Sequence, residues 1–319
     1  RDRYRAAPSV VWAKANARAP TSIGDTITVR LAYRTPFDFA ALLAFLSARA
    51  IVGVEHVDDA SFATTLSIGG CAGWLSVVDD PTRAQLVATL SSSLAPALLG
   101  VVSRLRALFD LDARPHDIAT ALARDPFLAR EKQRFAGLRV PGTTSGFTLA
   151  VRAVLGQQVS VKAATTLMAR LVTASARPID TPVEGLTRLP PTPEDLLAIG
   201  VDAVAACGIV RARAETVLAI AELVHQEPQL LEPYADAART DRALGELAGM
   251  GPWTRGYIAL RALRDPDAYP VGDLVLCKRV GGATTRALAQ RAETWRPWRA
   301  YAAMWLWARA TNEPGEIDA

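Results

Sequence analysis

The stretch Leu247-Ala248-Gly249-Met250-Gly251-Pro252-Trp253-Thr254 places two glycines one residue apart, between the apolar residues of one helix and the start of another. Glycine permits positive φ angles and close backbone approach, and proline suits the first position of a helix because it has no N–H to leave unpaired there. The spacing predicts a tight helical hairpin. The entrance of its second helix presents backbone N–H groups that suit a phosphate, although an ordinary turn between packed helices fits the same residues.

Basic and aromatic residues are concentrated around this hairpin. The segment from Leu247 to Arg309 contains ten lysines and arginines, four acidic residues and five of the chain's seven tryptophans. The chain of 319 residues has a net charge of +4, so the remainder is slightly acidic. Basic side chains interleaved with aromatic ones are typical of surfaces that contact phosphates and stack on bases. A solvated basic face over an aromatic core would give the same composition.

The overall composition predicts a globular protein of more than one domain, since half of the residues are hydrophobic. No apolar stretch reaches the roughly 18 residues that span a bilayer, so we exclude a membrane protein. The three cysteines, Cys71, Cys207 and Cys277, form neither a CxxC pair nor a cluster. This excludes a disulfide framework and a cysteine-bound zinc or iron–sulfur site. A reducing, cytoplasmic setting fits best.

The N-terminal third of the sequence has strand periodicities. Thr26 to Tyr33 alternates apolar and polar residues as a half-buried strand does. Phe62 to Val78 predicts a hairpin around Gly69-Gly70, and Gln85 to Leu90 predicts a further strand. From about Leu94 the strand patterns fade, and prolines separate a series of apolar helical patterns.

One helix is predicted inside this strand-rich part. Its core stripe recurs at helical spacing and consists of Phe39, Leu42, Leu43 and Leu46. Phe45 points roughly a third of a turn away from that stripe. This side chain is therefore expected either to face another surface or to pack in a neighbouring core.

The hairpin and the residues after it resemble the helix–hairpin–helix DNA glycosylase superfamily. The resemblance rests on Trp253, Tyr257, Asp273 and the run Trp295-Arg296-Pro297-Trp298-Arg299. Within the superfamily, roughly Thr26 to Ala310 resembles the AlkA-type 3-methyladenine DNA glycosylase II family, including the run Val154-Leu155-Gly156-Gln157-Gln158-Val159-Ser160. The start, Arg3-Tyr4-Arg5-Ala6-Ala7-Pro8, resembles the end of an AraC-type domain, as in fusions of an Ada-like regulator to this glycosylase.

The resemblance implies an α+β N-terminal domain, an antiparallel sheet with helices, followed by an all-α helix–hairpin–helix glycosylase body of two subdomains. We place the N-terminal domain at residues 25–110. One helical subdomain is placed at 111–145 plus 266–312, and the subdomain with the hairpin at 146–265. Residues 1–24 carry little apolar periodicity, and we expect them to be a linker and the tail of an upstream domain.

The implied activity is excision of alkylated bases, such as 3-methyladenine and 7-methylguanine, by base flipping. Asp273 is the implied catalytic group. A fixed carboxylate stabilises the positive charge that develops on the deoxyribose as the N-glycosidic bond breaks, and it orients or deprotonates the attacking water. Because Asp273 directly precedes the apolar Leu274-Val275-Leu276, a helix N-cap is the alternative interpretation.

Trp253 stands where lyase-active relatives carry a Schiff-base lysine, and no lysine occurs between Lys162 and Lys278. This predicts a monofunctional glycosylase. We expect no cofactor and no metal in the chemistry, and the alternative that the superfamily offers is a cation held by carbonyls of the hairpin. Its expected partner is double-stranded DNA with alkylated bases, bound by a monomer in the cytoplasm at the nucleoid. The alternatives are a non-catalytic helix–hairpin–helix module that senses damage within a regulator, and a glycosylase for oxidised or mismatched bases.

The implied base pocket has aromatic walls. Trp253 and Tyr257 are four residues apart on one helix face, Trp307 is the candidate opposite wall, and Phe45 matches a pocket-lining phenylalanine. Core packing is the alternative for each of them. An aromatic face attracts a cationic methylated purine by about 1 to 2 kcal/mol when the pair is desolvated, so we expect charge-based selection of alkylated bases.

The implied DNA contacts are the hairpin residues Gly249, Gly251 and Thr254 on the backbone and Gln157 and Gln158 at the wedge. A wedge offsets part of the few kcal/mol of stacking that flipping costs. The family uses a leucine there, whereas the polar Gln158 fills the gap by hydrogen bonding to the orphaned base or is only a solvated loop residue. Three further residues differ from the family's pattern. Leu274 replaces a tyrosine, and Ala248 and Arg255 replace the usual proline and alanine of the hairpin. These differences affect the shape of the pocket rather than the class of reaction.

Overall fold

The computed structural model describes residues 25–311, and it begins with a five-stranded antiparallel sheet in the order β1-β5-β4-β3-β2. Its strands are β1 (Thr26–Ala32), β2 (Glu55–Val57), β3 (Ser61–Ile68), β4 (Cys71–Asp80) and β5 (Gln85–Ser91). The predicted first strand, hairpin and further strand are confirmed, and the short edge strand β2 is an addition. The tail predicted at residues 1–24 lies outside the described residues.

Helix α1 (Phe39–Ser47) covers one face of this sheet. The Asp38 carboxylate starts the helix by accepting the Ala41 N–H at 2.9 Å. The four residues of the predicted stripe are all buried against the sheet core. Phe45 lies outside the stripe, is half-buried, and borders both the sheet core and a core of the helical part.

The rest of the described chain is helical, as predicted. Short 3-10 helices occupy Ser92–Ala97 and Glu293–Trp295. The α-helices are α2 (Leu98–Leu108), α3 (Pro115–Leu122), α4 (Pro126–Ala129), α5 (Lys132–Phe135), α6 (Gly146–Leu155), α7 (Val161–Ala174), α8 (Pro193–Ala206), α9 (Arg211–Gln226), α10 (Ala237–Gly245), α11 (Pro252–Arg261), α12 (Leu274–Arg279), α13 (Thr285–Ala292) and α14 (Arg299–Thr311).

Two apolar cores organise the helices. Every residue of α6 is buried, as expected for a helix that is apolar on most sides, and α9 and α11 pack against it. The second core joins residues 113–140 to residues 260–308 and includes the buried Trp295 and Trp305. Together with the sheet core, these cores support the predicted division at residues 110, 145 and 265, which stays our proposal. Among the described residues, no helix is long and apolar enough to cross a membrane.

A buried ion pair lies where the three cores meet. Asp110, just after α2, pairs with Arg264, just after α11, and both side chains are almost fully buried. Asp110 also accepts the Tyr301 hydroxyl of α14 at 2.7 Å and the Val140 N–H at 3.2 Å. Arg264 donates to the Val140 carbonyl at 2.8 Å. This network ties the sheet domain to both parts of the helical body.

Candidate active site

The predicted hairpin is present between α10 and α11. Gly249 has φ +83°, and a Cβ there would lie 2.8 Å from the Thr216 hydroxyl, so this position requires glycine. Gly251 is the N-cap of α11 and is exposed, and a Cβ there would have open space around it. No side chain of the described residues caps α11. The helix entrance is therefore open to an anion from outside.

The loop between α6 and α7 is bonded to this hairpin. The Gln157 amide donates to the Gly249 carbonyl at 2.8 Å and to the Thr254 hydroxyl at 3.0 Å, and Thr254 is buried. The structure thus places Gln157 and the Thr254 side chain in a contact between loop and hairpin rather than on an open surface. Gln158 is exposed at the loop tip with φ +56°. Ser160, which caps α7, is the other exposed residue of this loop.

Asp273 is the N-cap of α12 and is only 7% exposed. Its Oδ1 accepts the Leu276 N–H at 2.8 Å, so the predicted helix N-cap is present. Its Oδ2 accepts the Trp253 indole N–H at 2.9 Å, which fixes the carboxylate against the first turn of α11. An ionised carboxylate has about four acceptor positions, so this one retains capacity for a water.

The aromatic residues of the predicted pocket lie side by side. Trp253 stacks on Tyr257 with ring centroids 5.4 Å apart and an interplanar angle of 9°. The Trp307 ring meets Tyr257 edge-on at 6.4 Å, and all three side chains are half-buried. Trp305 is buried in the core, as the opposite facing of Trp305 and Trp307 on α14 predicts. The stacked pair and Trp307 form a partly open aromatic wall beside Asp273.

Two guanidinium groups complete this wall, and the sequence analysis missed both. The Arg49 guanidinium lies 3.8 Å from the centroid of the Phe45 ring, and that of Arg261 lies 4.9 Å from it. Arg261 donates to the Tyr257 hydroxyl at 2.7 Å and is held by the carbonyls of Pro141 and Gly142. Each arginine follows its aromatic partner by four residues, the spacing that brings side chains together on a helix. The four-residue spacing is the feature of the sequence that could have identified both arginines.

The arginines change the acidity of Tyr257. Burial alone would raise the pKa of its hydroxyl, but the charges of Arg261, Arg49 and Arg152 outweigh burial and hold the pKa below its ordinary value. Burial lowers the pKa of Arg49 itself. The wall is thus an aromatic surface with fixed positive charge behind it.

Most of the basic residues counted around the hairpin serve the protein itself. Arg261 and Arg264 are buried, and other arginines pair with acidic residues, such as Arg255 with Asp241 at 2.7 Å. The same holds for Arg291, Arg296 and Arg299. Lys278 and Arg286 are exposed. The basic composition therefore reflects internal ion pairs more than a phosphate-binding face.

Two surface depressions lie away from this wall. One is an open groove of about 620 Å³ beside Pro36–Ala40 and Asp59, and the other, about 200 Å³, lies between Arg104 and Pro190–Glu194. Asp273 lines neither of them. The described residues contain no cluster of three or more His, Cys, Asp or Glu that could hold a metal ion.

The chain matches family models and known relatives over most of its length. The AlkA N-terminal domain model matches residues 28–145, and the HhH-GPD superfamily base excision DNA repair protein model matches residues 151–300. DNA-3-methyladenine glycosylase 2 of Escherichia coli is 32% identical over 286 residues, which cover 90% of this chain and 99% of the relative. The chain belongs to the AlkA-type 3-methyladenine DNA glycosylase family.

Another AlkA-type relative is longer than this chain. The probable bifunctional transcriptional activator/DNA repair enzyme AlkA of Mycobacterium tuberculosis is 37% identical over 306 residues, 94% of this chain. The chain spans 61% of that relative's length.

Solved structures show the same fold. The 3-methyladenine DNA-glycosylase from Archaeoglobus fulgidus superposes with a TM-score of 0.77 at 19% identity, covering 89% of this chain and 99% of that one. The MBOgg1 structure, in complex with a low affinity DNA ligand, has a TM-score of 0.68 at 17% identity, covering 92% of this chain and 99% of that one.

Proposed function

We propose that this protein is a monofunctional DNA glycosylase that excises alkylated bases, among them 3-methyladenine and 7-methylguanine, in base excision repair. It acts as a monomer on double-stranded DNA in the cytoplasm, at the nucleoid. The observation that carries the proposal is the contact between Trp253 and Asp273 at 2.9 Å, next to the stacked Tyr257. This contact holds a carboxylate beside an aromatic wall. A flipped nucleotide requires both, the carboxylate near its sugar and the wall for its base.

The proposed chemistry divides the work between these groups. The flipped base stacks on the wall of Trp253, Tyr257 and Trp307, and Phe45 borders the same space. As the bond between C1′ and the base nitrogen breaks, positive charge develops on the sugar, and the Asp273 carboxylate stabilises it. Water adds to C1′, and its proton passes to Asp273 or to solvent. Trp253 occupies the position of a Schiff-base lysine, so water is the nucleophile.

DNA binding is assigned to the hairpin and the neighbouring loop. The open N-terminus of α11 at Gly251 supports a contact between backbone N–H groups and a phosphate. Gly249 shapes the turn, while Gln157 and Thr254 hold it to the loop. Gln158 is the proposed wedge because it is exposed at the loop tip.

The direct test of this function is release of damaged bases. The purified chain is incubated with duplex DNA treated with a methylating agent, and the released bases are identified by mass. We expect 3-methyladenine and 7-methylguanine, with abasic sites left uncleaved until alkali is added. Strand cleavage without alkali would contradict the monofunctional assignment, and absence of released bases would contradict the function.

The two hairpin glycines provide a matched pair of variants. Gly249→Ala places a side chain at φ +83° and 2.8 Å from the Thr216 hydroxyl, so we expect it to lower the free energy of unfolding by about 1–2 kcal/mol. Gly251→Ala meets open space at an ordinary φ of −67°, so the free energy of unfolding should change by less than about 0.5 kcal/mol. Urea denaturation measures both values.

For DNA affinity, we expect the larger effect from Gly251→Ala, the variant whose stability is unchanged. The added methyl group of Gly251→Ala stands where a phosphate approaches, so we expect its dissociation constant for undamaged duplex to rise several-fold while its fold is retained. Fluorescence anisotropy at fixed salt measures this constant. An unchanged affinity would remove Gly251 from the proposed DNA contacts without affecting the chemistry assigned to Asp273.

A further inference from the structure

The positive charge behind the aromatic wall is more than the reaction on a cationic base requires. Arg49 reaches its position from the C-terminal end of α1, where it donates to the Phe45 carbonyl at 3.2 Å and lies over the Phe45 ring. Arg261 lies over Phe45 from α11 and also over the Tyr257 ring, at 5.7 Å. The π face of Phe45 is therefore already occupied by cations of the protein.

The carboxylates near these arginines do not balance them. Arg152 of α6 belongs to the same cluster, is buried, and has an Nη1 with no hydrogen-bond partner among the described residues. Glu55 of β2 is the acidic side chain that faces Arg152 and Arg261, and it accepts the Ile51 N–H at 3.0 Å. Burial raises the pKa of Glu55. Two guanidinium groups, those of Arg152 and Arg261, thus face the Glu55 carboxylate, while Arg49 faces the Tyr257 hydroxyl of the aromatic wall.

We propose that Arg49 is a specificity-determining residue that shifts excision toward uncharged damaged bases and against cationic ones. This inference rests on the proposed function and refines its substrate class. A cationic base must enter a space next to the Arg49 guanidinium, and like charges at such short range repel when they are shielded from water. An uncharged base meets no such repulsion. Its acceptor atoms find N–H donors in the guanidinium instead.

The bond-breaking step adds to this preference. Both electrons of the C1′–N bond leave with the base, while water supplies the oxygen on C1′ and gives up a proton to Asp273 or to solvent. A cationic base departs as a neutral molecule. An uncharged base departs as an anion, which then takes a proton from solvent. A guanidinium beside the base stabilises that developing negative charge. Arg49 is placed to do this for uncharged bases alone.

The test compares two damaged bases in otherwise identical duplexes. One duplex carries a single 7-methylguanine, whose nucleoside is cationic, and the other a single 1,N6-ethenoadenine, which is uncharged. Single-turnover excision rates are measured with excess wild-type protein, with Arg49→Gln, and with Arg83→Gln as the control. Arg83 is an exposed arginine of the sheet domain that pairs with Asp80 at 3.6 Å, so its removal changes net charge equally.

We expect Arg49→Gln to raise the ratio of the 7-methylguanine rate to the ethenoadenine rate at least tenfold, while Arg83→Gln leaves it unchanged. Arg49→Lys keeps the charge and should stay within threefold of the wild-type ratio. If Arg49→Gln does not fold, Arg49→Met retains the apolar stem and carries the same expectation. A ratio within twofold of wild type in the folded neutral variant overturns the inference.

The outcomes separate this inference from the proposed function. Removal of both bases by the wild type with an unchanged ratio in Arg49→Gln refutes the role of Arg49 and leaves the glycosylase assignment standing. Removal of 7-methylguanine without any ethenoadenine also refutes that role. Removal of neither base refutes the proposed function itself.

Discussion

Asp273→Asn is expected to slow single-turnover excision of 7-methylguanine at least about 100-fold, because it removes the negative charge that the proposed mechanism places at the sugar. The fold should persist. Asparagine is as good an N-cap as aspartate, and its side-chain oxygen can still accept the Leu276 N–H. The dissociation constant for undamaged duplex should therefore remain within a few-fold of wild type.

The matched control is Asp236→Asn. Asp236 is also a helix N-cap, accepting the N–H groups of Ala238 and Arg239 at the start of α10, but it is exposed and has no aromatic neighbour in the proposed site. Its excision rate should equal that of wild type. If Asp273→Asn excised as fast as Asp236→Asn, Asp273 would be a cap alone. A non-catalytic DNA-binding module would then explain the structure better than a glycosylase does.

Asp110→Asn should lower the free energy of unfolding by about 3–5 kcal/mol, because it leaves the buried Arg264 without its counter-charge. Asparagine tolerates the positive φ of +53° at this position, so backbone strain does not contribute to the loss. Urea denaturation, followed by circular dichroism, measures the change. The effect should also appear as a lower denaturation midpoint for all three cores.

Two further variants locate the origin of that loss. Tyr301→Phe removes the hydroxyl that donates to Asp110 and should cost only about 1 kcal/mol. Asp112→Asn, two residues away, breaks a surface pair with Arg106 and should cost less than about 1 kcal/mol. Losses of equal size in Asp110→Asn and Asp112→Asn would show that the buried pair has no special role in stability.

A strand or helix was predictable from the sequence where its apolar residues recur regularly and all face the same core. The alternation in β1 and the apolar stripe of α1 each face one core, so spacing alone identified them. The short strand β2 was not predicted because three residues are too few to show an alternation of apolar and polar residues. The hairpin was predictable because glycine is required there by conformation, as the φ of Gly249 shows.

The sequence predicted which residues lie together in the candidate site, but not the contacts between them. The positions of Trp253, Tyr257 and Asp273 were inferred from resemblance, whereas the hydrogen bond between Trp253 and Asp273 depends on tertiary packing. The clustered basic residues were misleading for the same reason. A count of arginines cannot distinguish a buried one, such as Arg261, from an exposed one. Arg49, far from the hairpin in sequence, joined the site only through the docking of α1 on the helical body.

The amide of Gln157, which bridges the Gly249 carbonyl and the Thr254 hydroxyl, has a mechanical consequence. These two hydrogen bonds join the loop to the hairpin. Under the proposed function, the distance between the phosphate bound at Gly251 and the wedge Gln158 is then set by the protein before DNA binds. Under the same proposal, the protein tests each nucleotide at this fixed distance from the bound phosphate. A damaged base then enters the proposed site only where the DNA matches that distance.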